Sequence, residues 1–174
     1  MKEIEIQNGV SVAKEGARLT IKGPKGSTSK SIDERLVVLS IEGNKIRISQ
    51  TENKKLQKKG ALAVMALTTE LTDAIGSVSS GIERKMTVVF AHFPVSMEVK
   101  GQELYIKNLF GEKIPRVAVL AGETKVMIKG SDVTVTGCDK YDVGQTVANI
   151  MNACHARGQD TRVFQDGIYP AREE

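Results

Sequence analysis

Histidine, cysteine and clustered carboxylates carry most catalytic and metal chemistry, and this chain is poor in them. Its 174 residues include 2 His and 2 Cys. His92 sits between Ala91 and Phe93 in an extended stretch, and His155 ends a helical stretch beside Arg157. A catalytic histidine needs a nucleophile and an orienting carboxylate, and neither is recognisable near either one. Cys138 and Cys154 form no Cys-x-x-Cys pair, and Cys154-His155 has no second cluster to complete four zinc ligands. Asp132, Asp139 and Asp142 lack calcium-loop spacing. Gly23-Pro24-Lys25-Gly26-Ser27-Thr28 has the look of a phosphate cradle, but its Lys precedes the glycine and no helix signal follows. It reads instead as a turn presenting Lys25 between Lys22 and Lys30. No catalytic residue, metal site or cofactor is expected, and the chain does not read as an enzyme.

The chemistry its residues do support is recognition of a polyanion. Lys54, Lys55, Lys58 and Lys59 form a basic ridge on the outer face of a helix, which is either a solvated face or a phosphate contact. From Lys107 to Lys129 five cations (Lys107, Lys113, Arg116, Lys125, Lys129) face only Glu112 and Glu123, with Tyr105 and Phe110 interleaved. Such a segment can neutralise phosphates and offer stacking surface to unpaired bases. The stretch from Arg157 to Arg172 again mixes arginine with Phe164 and Tyr169, around an Asp166-Gly167 turn. The arginine fork suits phosphate oxygens and its plane stacks. The same two aromatics also fit a C-terminal strap that simply packs on its domain.

The elements that position these residues occur twice. Gly16-Ala17-Arg18-Leu19-Thr20-Ile21-Lys22 matches Gly101-Gln102-Glu103-Leu104-Tyr105-Ile106-Lys107 at an offset of 85, and Ile41 to Ser49 matches Ile128 to Thr136 at an offset of 87. Period-two alternation predicts strands with Leu19 and Ile21, Ile46 and Ile48, Val95 with Met97 and Val99, and Val133 with Val135 facing inward. Turns fall at Glu42-Gly43-Asn44 and Lys129-Gly130-Ser131. The first helix is predicted from a capping box at Ser49-Gln50-Thr51-Glu52, with the stripe Leu56, Ala63, Leu67, Leu71, Ile75 and a cap at Gly76. The second begins near Asp139, buries Val143, Val147, Ile150, Met151 and Cys154, and stops near Gly158. The expected fold class is α+β: two tandem duplicated domains, each a mostly antiparallel sheet covered by one helix. Residues 1–81 form the first and 82–174 the second, with the C-terminal RNA-contacting segment, joined by a hinge at Ser79-Ser80-Gly81.

Charge divides unevenly between the halves. Residues 1–84 hold 14 basic and 10 acidic side chains, residues 85–174 hold 11 of each, and all 7 aromatics lie in the second half. No apolar run approaches the roughly 18 residues of a membrane span, and the N-terminus lacks a signal-peptide core, so a cytoplasmic location with reduced cysteines is expected.

Taken with the duplication, four marks are specific in combination: Gly23-Pro24-Lys25-Gly26, Ala91-His92-Phe93-Pro94, Gly111-Glu112-Lys113 with Arg116, and Arg162-x-Phe164-x-Asp166-Gly167-Ile168-Tyr169. On these residues the chain closely resembles, along essentially its whole length, the family of the sixth protein of the large ribosomal subunit, in its archaeal and eukaryotic branch. The resemblance implies a non-enzymatic, rRNA-binding constituent of the large subunit, near the sarcin-ricin loop and the region where translation factors dock. Its implied partners are large-subunit rRNA and neighbouring ribosomal proteins, in proximity to translation factors. Carried onto this chain, the RNA-binding candidates are Lys107, Lys113, Arg116, Arg157, Arg162, Phe164, Gly167, Tyr169 and Arg172, with Lys22, Lys25 and Lys30 weaker. A two-domain protein-interaction module using the aromatic second half is the competing reading.

Overall fold

Strand alternation accounts for most of the backbone. The computed structural model describes every residue except Met1, Asn8, Asn44, 52–56, His92, Gln159, Thr161 and 172–174. The first half forms β1 (Lys2–Glu5), β2 (Ser11–Glu15), β3 (Arg18–Gly23), β4 (Gly26–Ser31), β5 (Val37–Glu42), β6 (Lys45–Gln50) and α1 (Gln57–Ser80). The second forms β7 (Ile82–Val89), β8 (Ser96–Lys100), β9 (Glu103–Lys107), a short 3-10 turn at Leu109–Gly111, β10 (Arg116–Val119), β11 (Lys125–Lys129), β12 (Asp132–Gly137), α2 (Lys140–Ala153) and β13 (Gly167–Pro170). The chain divides into two compact units, Met1–Gly81 and Ile82–Glu174.

Each unit has the same plan, in keeping with the duplicated α+β architecture expected. Sheet β2-β3-β4 corresponds to β8-β9-β10, and sheet β1-β6-β5 corresponds to β7-β12-β11. Every strand pairing is antiparallel. The matched turns share backbone conformation, with φ of 58° at Gly16 and 61° at Gly101, and 58° at Gly43 and 62° at Gly130. The inward residues correspond as well. Leu19, Ile21, Ile46 and Ile48 are fully buried in the first unit, as are Leu104, Ile106, Val133 and Val135 in the second. The second unit adds one strand: β13 returns along the free side of β7.

Several local expectations need correction. Ser49 is no helix cap: β6 runs on to Gln50 because Ser49 pairs with Val38 and Gln50 with Val37, so cross-strand pairing prevails over the capping signal. Glu52 and Leu56 lie outside the described residues, as does Asn44. The helix passes through Gly76, since Ala74, Ile75 and Val78 all remain in the core. It closes instead at Gly81, whose amide reaches Ser77 O at 2.7 Å with a φ of 80° that favours glycine. Val95 and Met97 do pack inward, half-buried against the second unit's core, but Val99 is exposed on the edge strand β8. Met151 is exposed too. It lies about 100° around the helix from buried Ile150, off the stripe.

Against the expectation that no apolar run approaches a membrane span, helix α1 is long and apolar enough to cross a bilayer over Lys58–Ser80, with a stretch of mean hydropathy 1.3. Its inner face is core: Val64, Leu67, Leu71, Ala74, Ile75 and Val78 are buried against the first unit's strands. The hydroxyls of Thr68, Thr69 and Thr72 turn back to carbonyls one turn earlier, so these residues present methyl groups rather than polar ones.

Candidate nucleic-acid interface

Between β9 and β10 the chain reverses through a strained knuckle. Asn108 and Phe110 both take left-handed backbone, with φ of 60° and 54°, at a cost of about 1–2 kcal/mol each. Packing holds them there. Asn108 Nδ2 donates to Pro94 O at 3.1 Å, and Leu109 and Phe110 are buried. The Phe110 ring lies edge-to-face with Phe164, centroids 6.5 Å apart, and faces the Arg116 guanidinium at 5.3 Å.

Arg116 ties this knuckle to the end of α2. Its Nε and Nη2 donate to the two carboxylate oxygens of Glu112, at 2.8 and 2.6 Å. Its Nη1 donates to Ala153 O at 3.0 Å and His155 O at 2.7 Å, where carbonyls at a helix C-terminus need donors and positive charge. The side chain is only 17% exposed. The hydrogen bonds from Arg116 hold the Glu112 carboxyl below its usual range, and Glu112 in turn raises the guanidinium.

The strap completes the region. Ile168 is buried opposite Val88, and Tyr169 pairs with Thr87. Asp166 is 2% exposed; its Oδ1 accepts from the Ala91 amide at 2.8 Å, and its Oδ2 has no partner among the described residues. Gly167 and Tyr169 share one face of β13, as residues two apart must. A Cβ on Gly167 would lie 3.1–3.2 Å from the Tyr169 ring and hydroxyl, so glycine is what lets the ring fold back over the strand. Between strap and helix end lies a cavity of about 200 Å³, lined by Met151, Asn152 and Ala156 on one side and Phe164, Gly167 and Tyr169 on the other. Cys154 also borders it, but burial pushes its thiol up to about 11, so near neutral pH it is a protonated packing group and no nucleophile.

The predicted residues therefore fall into distinct situations. Lys113, Arg157 and Arg162 are exposed and form no ion pair within the described residues. Phe164, Gly167 and Tyr169 share the cavity wall. Arg116 is spent on internal contacts. Lys107 is exposed but pairs with Glu98 at 2.7 Å on the outer sheet face, away from the cavity lining. Arg172 lies outside the described residues, as do Lys54, Lys55 and His92; Lys58 and Lys59 are exposed. In the other unit, Lys22 and Lys25 are exposed around the β3–β4 turn, whereas Lys30 pairs with Glu70 at 3.5 Å. Sequence reasoning missed Asn152 and Met151 on the cavity wall and the burial of Asp166. The helical stripe groups Met151 with the core residues, and Asp166-Gly167 reads as an ordinary turn.

A family model described as ribosomal protein L6 matches residues 93–167, which span β8 to the start of β13. Over 170 residues the chain is 40% identical to the large ribosomal subunit protein uL6 of Methanocella arvoryzae, covering 97% of this chain and 94% of that protein. Its identity to the uL6 of Methanosarcina mazei is 39% over 168 residues, with 97% and 94% covered. To the uL6 of Methanobrevibacter smithii it is 38% over 174 residues, with 99% and 96% covered.

Proposed function

This chain belongs to the ribosomal protein L6 family, and from that membership we propose that it is a structural, non-enzymatic constituent of the large ribosomal subunit in the cytoplasm that binds large-subunit rRNA. We place its site near the sarcin-ricin loop, beside the region where translation factors dock, with neighbouring ribosomal proteins as further partners. In this reading the two units act as two domains, 1–81 and 82–174, and the second makes the RNA contact through its C-terminal segment. The observation that carries it is the convergence of the knuckle, the end of α2 and the strap. Together these segments carry Lys113, Arg157 and Arg162, exposed and without ion pairs among the described residues, and the Phe164 and Tyr169 side chains of the cavity wall. Phosphate contacts of this kind fix position with little base reading. Arg116, Phe164 and Gly167 serve the site by shaping it, and Arg172 extends the same cationic segment. Lys107, paired with Glu98 on the outer sheet face, and Lys22, Lys25 and Lys30 are secondary contacts.

The test is binding to a labelled large-subunit rRNA fragment across a salt series. Affinity is expected to fall steeply with salt, and Lys113→Ala and Arg162→Ala each to reduce the log–log slope by about one. Salt-independent or undetectable binding sinks the proposal. One observation favours a protein contact as well: Ile114 is 80% exposed, beside exposed Val117 and Val119 on β10. A protein partner retained on the chain after nuclease treatment, and lost with Val117→Asp, would support that second reading.

A further inference from the structure

We propose that the cavity between the end of α2 and the strap receives a single unpaired RNA base, with Arg157 and Arg162 taking the phosphates on either side of it. The proposal rests on the rRNA reading above and names the element of RNA that the site takes.

Size is the first argument. At about 200 Å³ the cavity falls below the roughly 300–1,000 Å³ of ordinary small-molecule sites, and suits one planar ring system. Its lining is the second. Met151 and Ala156 supply an apolar wall, and the Phe164 and Tyr169 rings supply aromatic surface opposite. The Asn152 amide, which forms no side-chain hydrogen bond within the described residues, supplies a donor and an acceptor to a base edge. Base-on-aromatic contact of this sort tolerates any base, because every base has a π-face.

Preorganisation is the third argument. Tyr169 is 46% exposed, yet its ring lies over Gly167 and its hydroxyl donates to Gln165 O at 3.3 Å. A platform already held in place loses little side-chain entropy on binding. The flanking charges are the fourth. Arg157 directly follows Ala156 on one wall, and Arg162 stands two residues before Phe164 on the other. Two exposed arginines within two residues of the lining favour an occupant that carries a phosphate on each side, as a nucleotide does, over an apolar side chain of a protein partner. A paired base cannot enter, so the RNA element must be a loop, a bulge or a frayed end.

The experiment uses the full chain and a labelled large-subunit rRNA fragment. Ala156→Leu fills the cavity and leaves Tyr169 and β13 unchanged; Tyr169→Ala removes the platform. Circular dichroism melts first establish that both variants fold. Each is expected to bind about tenfold more weakly, with the slope of log affinity against log salt unchanged, since no phosphate contact is lost. If wild type binds and both variants stay within twofold of it, the base pocket is overturned while the rRNA function stands. A weakened variant with a shallower salt slope overturns it too, because the loss then lies in phosphate contacts. If wild type does not bind the fragment, the rRNA reading falls and the base pocket falls with it.

Discussion

Arg116 concentrates more of the site's architecture than any other side chain. Four hydrogen bonds from one guanidinium join β10, Glu112 and two carbonyls at the end of α2, and its face covers Phe110. Hydrogen bonds to charged groups contribute about 1.5–3 kcal/mol each before losses in coupling. Arg116→Ala is accordingly expected to lower unfolding free energy by about 2–4 kcal/mol, read from urea melts. Lysine keeps the charge but cannot form the bidentate fork, so Arg116→Lys recovers less than half of that loss. A change within 0.5 kcal/mol would show that the clasp is dispensable. Cys154 makes a second prediction. Its folded thiol ionises near 11 because it is buried, against an ordinary value of 9.0. The unfolded chain therefore releases that proton first, and this contribution to stability is complete below about pH 9 and lost as pH rises toward 11. The loss amounts to roughly 2–3 kcal/mol. Urea melts should show wild type losing more than Cys154→Ala between those pH values; parallel losses would remove the thiol as the cause.

At the scale of elements, the sequence was most legible where periodicity and duplication agree. Leu19 with Ile21 and Leu104 with Ile106 alternate, repeat at a constant offset, and are buried in matching strands. Asp139 was legible for a local reason: its carboxylate accepts from the Tyr141 amide at 2.9 Å and opens α2. Ser49 carried an equally good local signal, but its partner strand β5 extended β6 through it, and pairing between distant segments leaves no mark in a short window. The site was legible as composition and not as geometry. Cations and aromatics in 107–172 could be counted, but which cations are consumed depends on folding. Arg116 looked like a phosphate ligand and is an internal clasp, while Asn152 gave no signal at all. Its place on the cavity wall follows from where β13 returns along β7.

At the scale of the whole molecule, folding also explains how a second half with equal numbers of acids and bases could bind a polyanion. Several of its carboxylates are taken up by cations: Glu98 accepts from Lys107 and pairs with Lys100, which lowers its carboxyl below the usual range, and Glu112 holds Arg116. Those pairs occupy Lys100, Lys107 and Arg116, whereas Lys113, Arg157 and Arg162, like Lys85, Lys125 and Lys129, are exposed and form no ion pair among the described residues. The two units have separate hydrophobic cores with no residue in common, and β13 pairs entirely within its own unit. A fragment of residues 82–174 is therefore expected to fold with a single cooperative transition, its size being sufficient for a modest core. If RNA contact is confined to this half, its binding to the rRNA fragment should keep the full chain's salt slope to within about one unit. A markedly shallower slope from a folded fragment would instead assign phosphate contacts to the first unit, where Lys22, Lys25, Lys58 and Lys59 are exposed.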